Sequence, residues 1–395
     1  MAAPKLRFKE FDGDWISKKI IDLADYVDYR GKTPKKVESG ILLVTAKNIK
    51  QGYLDYSASQ EFIEESAFDD VMRRGKVELN DVLITTEAPL GNVASVDRTD
   101  IALAQRVIKY RGKIDLLDNL FLKQKFLSES FQEILKSKAT GGTVQGIKGS
   151  VLHQIPLIVP SKEEQTKIAS FLSAVDEKIS QLTQKHELLS QYKQGMMQKL
   201  FSQQIRFKAD DGSEFGEWET HQIQKVFTNK SKNYDPQNVE NLPCIELEHL
   251  SQNTGEILGT ISSLEQKSTK NFFEPNSVLF GKLRPYLRKF AKPQFKGVCS
   301  SEIWVLNGLK ISNDYLFQYI QSEQFTELTN IQSGSKMPRA DWNIIANSEI
   351  EYPSSEEQTK IASFLSAIDQ KIEVVAQQIQ HAKLWKKGLL QQMFV

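Results

Sequence analysis

Cysteine is nearly missing from this chain: among 395 residues there are two, alongside five histidines. Two cysteines make no disulfide framework, and nothing pairs Cys244 or Cys299 with histidine at a metal-ligand spacing. They could bond to each other in principle, but the pattern reads as two core-packing thiols that a cytoplasmic compartment keeps reduced. The histidines form no HExxH or comparable ligand set, so no metal is expected. No apolar run approaches the roughly 20 residues needed to cross a bilayer. The opening MAAPKLRFKEF also lacks the apolar stretch of a secretory signal, which makes the cytoplasm the expected location. An excess of one charge is missing too, with 51 basic residues against 50 acidic. A polycation is thereby excluded, and any nucleic-acid binding has to rest on local patches.

Catalytic signatures are missing in the same way. GGTVQGIKGS at Gly141–Ser150 nearly spells a phosphate-binding loop, but Ile147 follows Gly146 where a lysine is needed, and the loop follows a helical stretch instead of a strand. Its counterpart SGSKMPRADW, Ser333–Trp342, departs further. There is no acidic-Pro-Pro-aromatic motif and no glycine-rich methyl-donor loop of an amino methyltransferase. EQK at Glu265–Lys267 has the spacing of a nuclease carboxylate–lysine pair, but no acidic partner is placed for it, and it reads as surface. What remains is a binding role, with no cofactor expected on this chain.

What the chain does have is a repeat, and repeats decide architecture. PSKEEQTKIASFLSAVDEKI at Pro160–Ile179 and PSSEEQTKIASFLSAIDQKI at Pro353–Ile372 agree at 17 of 20 positions, at a constant offset of 193. Lys193, Gly195 and Phe201 keep that register with Lys386, Gly388 and Phe394. A weaker echo links LRFK at Leu6–Lys9 to IRFK at Ile205–Lys208, each followed by an acidic, glycine-containing stretch and then Trp15 or Trp218. Ser161 and Ser354 each stand three residues before a glutamate, Glu164 and Glu357, with proline just outside: the capping-box spacing of a helix start. Apolar residues then recur at a 4,3 spacing, Ile168, Leu172, Val175, Ile179 and Leu182 in the first copy and Ile361, Leu365, Ile368, Ile372 and Val375 in the second. A seam held over several heptads predicts a coiled coil, and two such helices in one chain can satisfy each other; two amphipathic helices each packed on its own domain is the alternative. Each helix of about 40 residues would be roughly 60 Å long. His186 falls on the seam and reads as a polar core residue.

The predicted layout is a globular domain over residues 1–159, a long helix over 160–203, a second domain over 204–352 and a second long helix over 353–395. The two domains look alike in kind and not in sequence. GILLVTAKNI and DVLITTEAPLGNVASV in the first, and NLPCIELEHL and SVLFGKLRPYLRKFA in the second, are β-rich runs, each set followed by a helical stretch and a glycine-rich loop. The fold class is therefore α/β, in the α+β sense: two mixed domains separated by an antiparallel coiled coil with a pseudo-twofold relation. Near-identical helices imply one common task, divergent domains two different ones.

Candidate contacts to a nucleic acid are found in both domains. GKLRPYLRKFAKPQFKG holds Lys282, Arg284, Arg288, Lys289, Lys292 and Lys296 without an acid, interleaved with Tyr286, Phe290 and Phe295, inside a domain that is acidic as a whole. Such segregation suits a surface where cations hold phosphates and arginine reads guanine edges. A solvated β-hairpin is the alternative. In the first domain YRGKTPKK supplies Arg30, Lys32, Lys35 and Lys36, Lys47 and Asn48 follow a predicted strand, and Gln105 and Arg106 are either base readers or strand-edge residues. Lys148, Lys336 and Arg339 lie in or beside the glycine-rich loops as phosphate-facing cations.

Two variable domains, each followed by a near-identical helix opening PSxEEQxKIAxFL and carrying a shared glycine near its end, closely resemble the specificity subunit of Type I restriction-modification enzymes. GKTPKK, ITTEAPLGNVASV and the Gly-Asp/Glu-Trp stretch near each unit start are similar to that family's target-recognition domains, and the likeness covers the whole chain. The resemblance implies that each domain reads one half of a split, asymmetric DNA site, while the helices pair antiparallel, set the spacer and bind the modification subunits. It implies further partners: two modification subunits that use S-adenosylmethionine to methylate adenine, and restriction subunits driven by ATP and magnesium. This chain would itself be non-catalytic. A tandem protein-binding scaffold without base readout is the competing reading of the same repeat.

Overall fold

The computed structural model describes residues 4–29, 34–236, 240–331 and 337–394. They form two compact units, residues 1–184 with 376–395, and residues 185–375. In the first unit the stretch Asp81–Val96 becomes a hairpin of strands Val82–Thr86 and Leu90–Ser95. Strand Val107–Gly112 pairs antiparallel with Val82–Thr86, and Ala24–Asp28 closes the four-stranded sheet beyond it. Its strands are apolar at successive positions because both faces are covered. Val82, Ile84, Ile108 and Tyr110 enter one core with the helices, whereas Leu83, Ala94 and Val107 enter a second core with strands Ile41–Val44 and Ile101–Leu103. Such two-sided burial erases the period-two alternation that would identify a strand in sequence.

The second unit repeats this plan with other residues. Its four-stranded sheet runs in the order Phe227–Thr228, Ile303–Gly308, Val278–Gly281, Phe290–Ala291, all antiparallel. Val278 and Phe280 face one core, Leu279 and Val305 another. Each unit also has one parallel pair, Ile41–Val44 with Ile101–Leu103 in the first and Pro243–Ile245 with Gly297–Cys299 in the second. In that second pair Cys244 stands opposite Val298 and Ile245 opposite Cys299. The two sulfurs therefore face opposite sides of the sheet, so the pairing that sequence alone allows is closed to them. Both are free and buried, and burial raises the Cys244 thiol to about 11, with Cys299 also raised.

The long helices span Lys162–Phe201 and Ser355–Met393. Their starts depart from a full capping box. Ser161 and Ser354 accept the backbone N–H of Glu164 and Glu357 at 3.3 and 3.4 Å, but the glutamates turn elsewhere. Glu164 takes Arg7 Nε and Nη2 at 2.7 and 2.6 Å, and Glu357 takes Arg206 Nε and Nη2 at 3.1 and 2.7 Å, each glutamate almost wholly buried. This accounts for the LRFK and IRFK echo. The next residue of each helix repeats the device: Gln165 Oε1 accepts the Asp118 N–H and Gln358 Oε1 the Ser312 N–H, both at 2.9 Å. Asp118 and Ser312 in turn cap the helices Asn119–Leu127 and Asn313–Tyr319.

In each unit the helices meet by opposite ends, as an antiparallel pair requires. In the first, Ile168, Leu172 and Val175 share a core with Leu389, Met393 and Phe394; in the second, Ile361, Leu365 and Ile368 share one with Met197, Leu200 and Phe201. Seam positions Leu182 and Val375 are buried, while Ile179, Ile372 and His186 are half-buried. Lys386 pairs with Asp176 at 2.5 Å in the first unit and Lys193 with Asp369 at 2.6 Å in the second, each residue 193 positions from its counterpart. Burial pushes the Lys193 ammonium below its usual range, against the pull of Asp369. Asp369→Ala, which among the described residues leaves that lysine only the neutral Gln321 Oε1 at 2.8 Å as a partner, is expected to destabilise by about 2–4 kcal/mol. Adding Lys193→Met should recover most of the loss in a thermal melt; no recovery would mean that packing, and not the stranded charge, carries the cost.

Candidate nucleic-acid interface

Three separate segments converge beside the sheet in the first unit. The hairpin turns through Glu87, Ala88 and Pro89, with Ala88 left-handed at φ 46°. Thr86 accepts the Ile147 N–H at 3.0 Å and donates its own N–H to Arg106 O at 2.9 Å, which joins the hairpin both to the end of the glycine-rich loop and to the turn before Val107–Gly112. Glu87 and Gly146 bridge, and Thr140 and Gly146 close the loop by a hydrogen bond in each direction, at 2.8 and 2.9 Å. Gly141 is needed there: at φ 115° an added Cβ would stand 2.2 Å from Val144 O. Arg106 is also left-handed, at φ 69°, and its guanidinium meets Glu87 at 2.5 Å. The loop is thus a backbone-pinned neighbour of the hairpin.

The corresponding segments converge in the second unit. Lys282 donates its N–H to Glu302 O and accepts that of Ala340, both at 2.9 Å, while Arg284 N–H reaches Pro338 O at 2.8 Å. Leu283 and Arg339 bridge. Arg284 and Arg288, at φ 52° and 48°, flank the tight turn Pro285–Leu287. Left-handed non-glycine residues cost free energy and gather where surrounding structure holds a functional loop. This turn leaves Tyr286 54% exposed and sends Arg284 to solvent.

Several sequence candidates meet in these junctions and others do not. Arg106 and Lys148 belong to the first, Lys282, Arg284 and Arg339 to the second, and Gln105 lies half-buried next to Arg106 with a partner of its own. Lys47 is exposed on the turn after Ile41–Val44, which Gln51 and Asn92 tie to the hairpin. Asn48 has to be withdrawn as a DNA-contact candidate. It is wholly buried, its Oδ1 accepts from Thr45 and its Nδ2 donates to the carbonyls of Asp55 and Ser59, so it is a turn-former. Lys35 lies 3.9 Å from Glu64 and Lys36 2.7 Å from Glu61. Arg30, Lys32 and Lys336 lie outside the described residues.

The basic stretch Gly281–Gly297 is also less uniform than its sequence. Arg288 donates to Gln321 O and Lys289 to Leu247 O, Lys292 meets Asp314, and Lys296 meets Glu240 at 2.6 Å. Phe290 is buried and offers no stacking face, while Phe295 is half-buried with its ring set against Phe273. Lys282 and Arg284 keep side chains with no ion pair among the described residues. The reason is topological: acids from distant segments fold over a run that contains none. The acids at the junctions are Glu87, inside the ITTEAPLGNVASV stretch but singled out by nothing in it, and Glu302, which no motif marks.

A model of the Type I restriction modification DNA specificity domain matches residues 13–191 and again residues 216–384. The specificity subunit of the Type I restriction enzyme MjaVIII of Methanocaldococcus jannaschii is 25% identical over 416 residues, covering 97% of this chain and 94% of its own. That of the Type I restriction enzyme EcoDI of Escherichia coli is 22% identical over 313 residues, covering 69% and 70%. Among solved structures, the S subunit of a Type I restriction-modification system from M. genitalium aligns over 100% of this chain and 99% of its own, with a TM-score of 0.62 at 16% identity. A chain from a type I R-M system, solved for its complex assembly and conformational transition, aligns over 98% of both chains with a TM-score of 0.56 at 15% identity. The fold is shared with these, and with a family match over both repeats the chain belongs to the Type I restriction-modification DNA specificity family.

Proposed function

We propose that this chain is the DNA sequence-recognition subunit of a Type I restriction-modification complex, each domain reading one half of a bipartite, asymmetric site. The observation that carries the proposal is the contrast between the two junctions. They occupy the same place in the same sheet plan, yet one presents Arg106, Lys148 and Lys47 and the other Lys282, Arg284 and Tyr286. Where the first has exposed Lys47 on the turn after its parallel strand, the second has exposed Glu248. Readers with different side chains select different bases, so the two half-sites would differ.

The long helices take the part of spacer and of docking surface for two modification subunits, which would bind S-adenosylmethionine and methylate adenine. ATP and magnesium would be used by the restriction subunits. This chain supplies recognition and no catalytic group, and acts in the cytoplasm. Mapping methylated adenines in cells that express the chain with its modification partner tests the proposal: a split, non-palindromic motif is expected, and no motif would favour a protein scaffold. Arg284→Asn, which keeps a residue tolerant of the left-handed backbone, is expected to weaken cognate binding by about 1–3 kcal/mol. Anisotropy on the mapped duplex measures this, and unchanged affinity would move the reading surface away from the junction.

A further inference from the structure

Each junction holds one arginine against one glutamate, with the partners drawn from different segments. In the first unit Arg106 is on the turn before Val107–Gly112 and Glu87 on the hairpin. In the second the turn residue is the acid, Glu302, and Arg339 comes from the stretch Ser333–Trp342, with Nε at 3.0 Å and Nη2 at 3.2 Å. The arginines are 55% and 49% exposed. Exposed pairs contribute little to folding, so stability does not account for one standing at each junction, with the turn residue the cation in the first and the acid in the second. Both stand beside left-handed residues and beside lysines or an arginine that face solvent.

We infer that Glu87 and Glu302 are specificity-determining residues that hold Arg106 and Arg339 away from phosphate on non-cognate DNA and yield them to a cognate base edge. The inference deepens the DNA-reading assignment proposed above and rests on it. A guanidinium is a planar fork, satisfied in the same bidentate way by a carboxylate or by the O6 and N7 of guanine. A guanine edge can therefore replace the glutamate with no hydrogen bond lost. In either exchange the displaced carboxylate is left beside a polyanion; a guanine edge offsets that cost with two aligned acceptors inside the groove, whereas a phosphate contact is screened by solvent and salt. The exchange therefore favours the base contact. Because non-specific affinity is built from cation–phosphate contacts, an arginine that stays paired subtracts from it. Specificity arises as much from weakening the wrong complex as from strengthening the right one.

The test uses the complex assembled around the full chain, with a duplex carrying the mapped site and one with that site scrambled, titrated by anisotropy at several salt concentrations. With Glu87→Gln and Glu302→Gln together, scrambled DNA should bind about two- to fivefold more tightly. The slope of log K against log salt on scrambled DNA should steepen by about 0.9 for each released arginine, and the cognate slope should stay as it was. Adding Arg106→Asn and Arg339→Gln should abolish the gain. An unchanged slope on scrambled DNA, an equal steepening on both duplexes, or a gain that survives loss of the arginines overturns the inference and leaves the DNA-reading assignment standing. A wild-type complex that binds both duplexes alike overturns the two together.

Discussion

Leu172→Ala and Leu365→Ala are each expected to lower stability by about 3 kcal/mol. Both leucines are fully buried, they lie 193 positions apart in the repeat, and each joins a helix to the core of its unit. Leu172 belongs to a core containing Phe121, Phe126 and the C-terminal Phe394; Leu365 belongs to one containing Tyr315, Tyr319 and Phe201. Truncation removes transfer free energy and leaves a cavity that aromatic neighbours, already packed ring against ring, collapse into poorly. For a unit of this size the loss corresponds to a fall in Tm of roughly 6–12 °C. Equivalent surroundings imply similar losses at both positions. A drop confined to one of them, seen by calorimetry, would show that the repeated helix does not do the same packing work twice.

Exchange of residues 219–352 for the corresponding domain of another family member is expected to rewrite one half of the methylated motif and leave the other half intact. The structural reason is how the domain is tied off. Strand Glu219–Gln222 pairs antiparallel with Glu349–Tyr352, Glu219 opposite Tyr352, so the chain enters and leaves the domain at one point. At that point Gln358 accepts a main-chain N–H at Ser312 and donates from Nε2 to Pro353 O, while Arg206 and Trp218 Nε1, outside the exchanged segment, hold Glu357. Side chains of the exchanged segment also pack on the helices, Tyr315 and Tyr319 in the core of Leu365 and Gln318 on Asp369, so a foreign domain uses the same seat where it keeps the closing strands and that apolar face. Mapping of methylated adenines measures the outcome, and a change in both halves would refute modular reading.

The helices were legible in the sequence because their signals are local. A serine three residues ahead of a glutamate and a 4,3 apolar spacing need no distant partner to be recognised, and the seam residues are buried or half-buried as the spacing requires. The strands were legible as apolar runs, though their pairing was not: Val82–Thr86 takes Leu90–Ser95 on one side and Val107–Gly112 on the other, a choice made by which faces two cores bury. The echo of LRFK in IRFK was visible, and its purpose was not, since Arg7 finds Glu164 only when the chain start folds back on the helix.

By itself the sequence determined the family, the doubled helix and the division into parts that repeat and parts that do not. Repetition and periodicity are properties of order along the chain, and they survive without coordinates. The tertiary structure alone decided which charges are available. Asn48 became a turn-former, the acid-free run of the second domain acquired Asp314 and Glu240, and Arg106 and Arg339 acquired Glu87 and Glu302. Charge acts through space, and neighbours in space here come from segments tens of residues apart, so no window of sequence could have paired them.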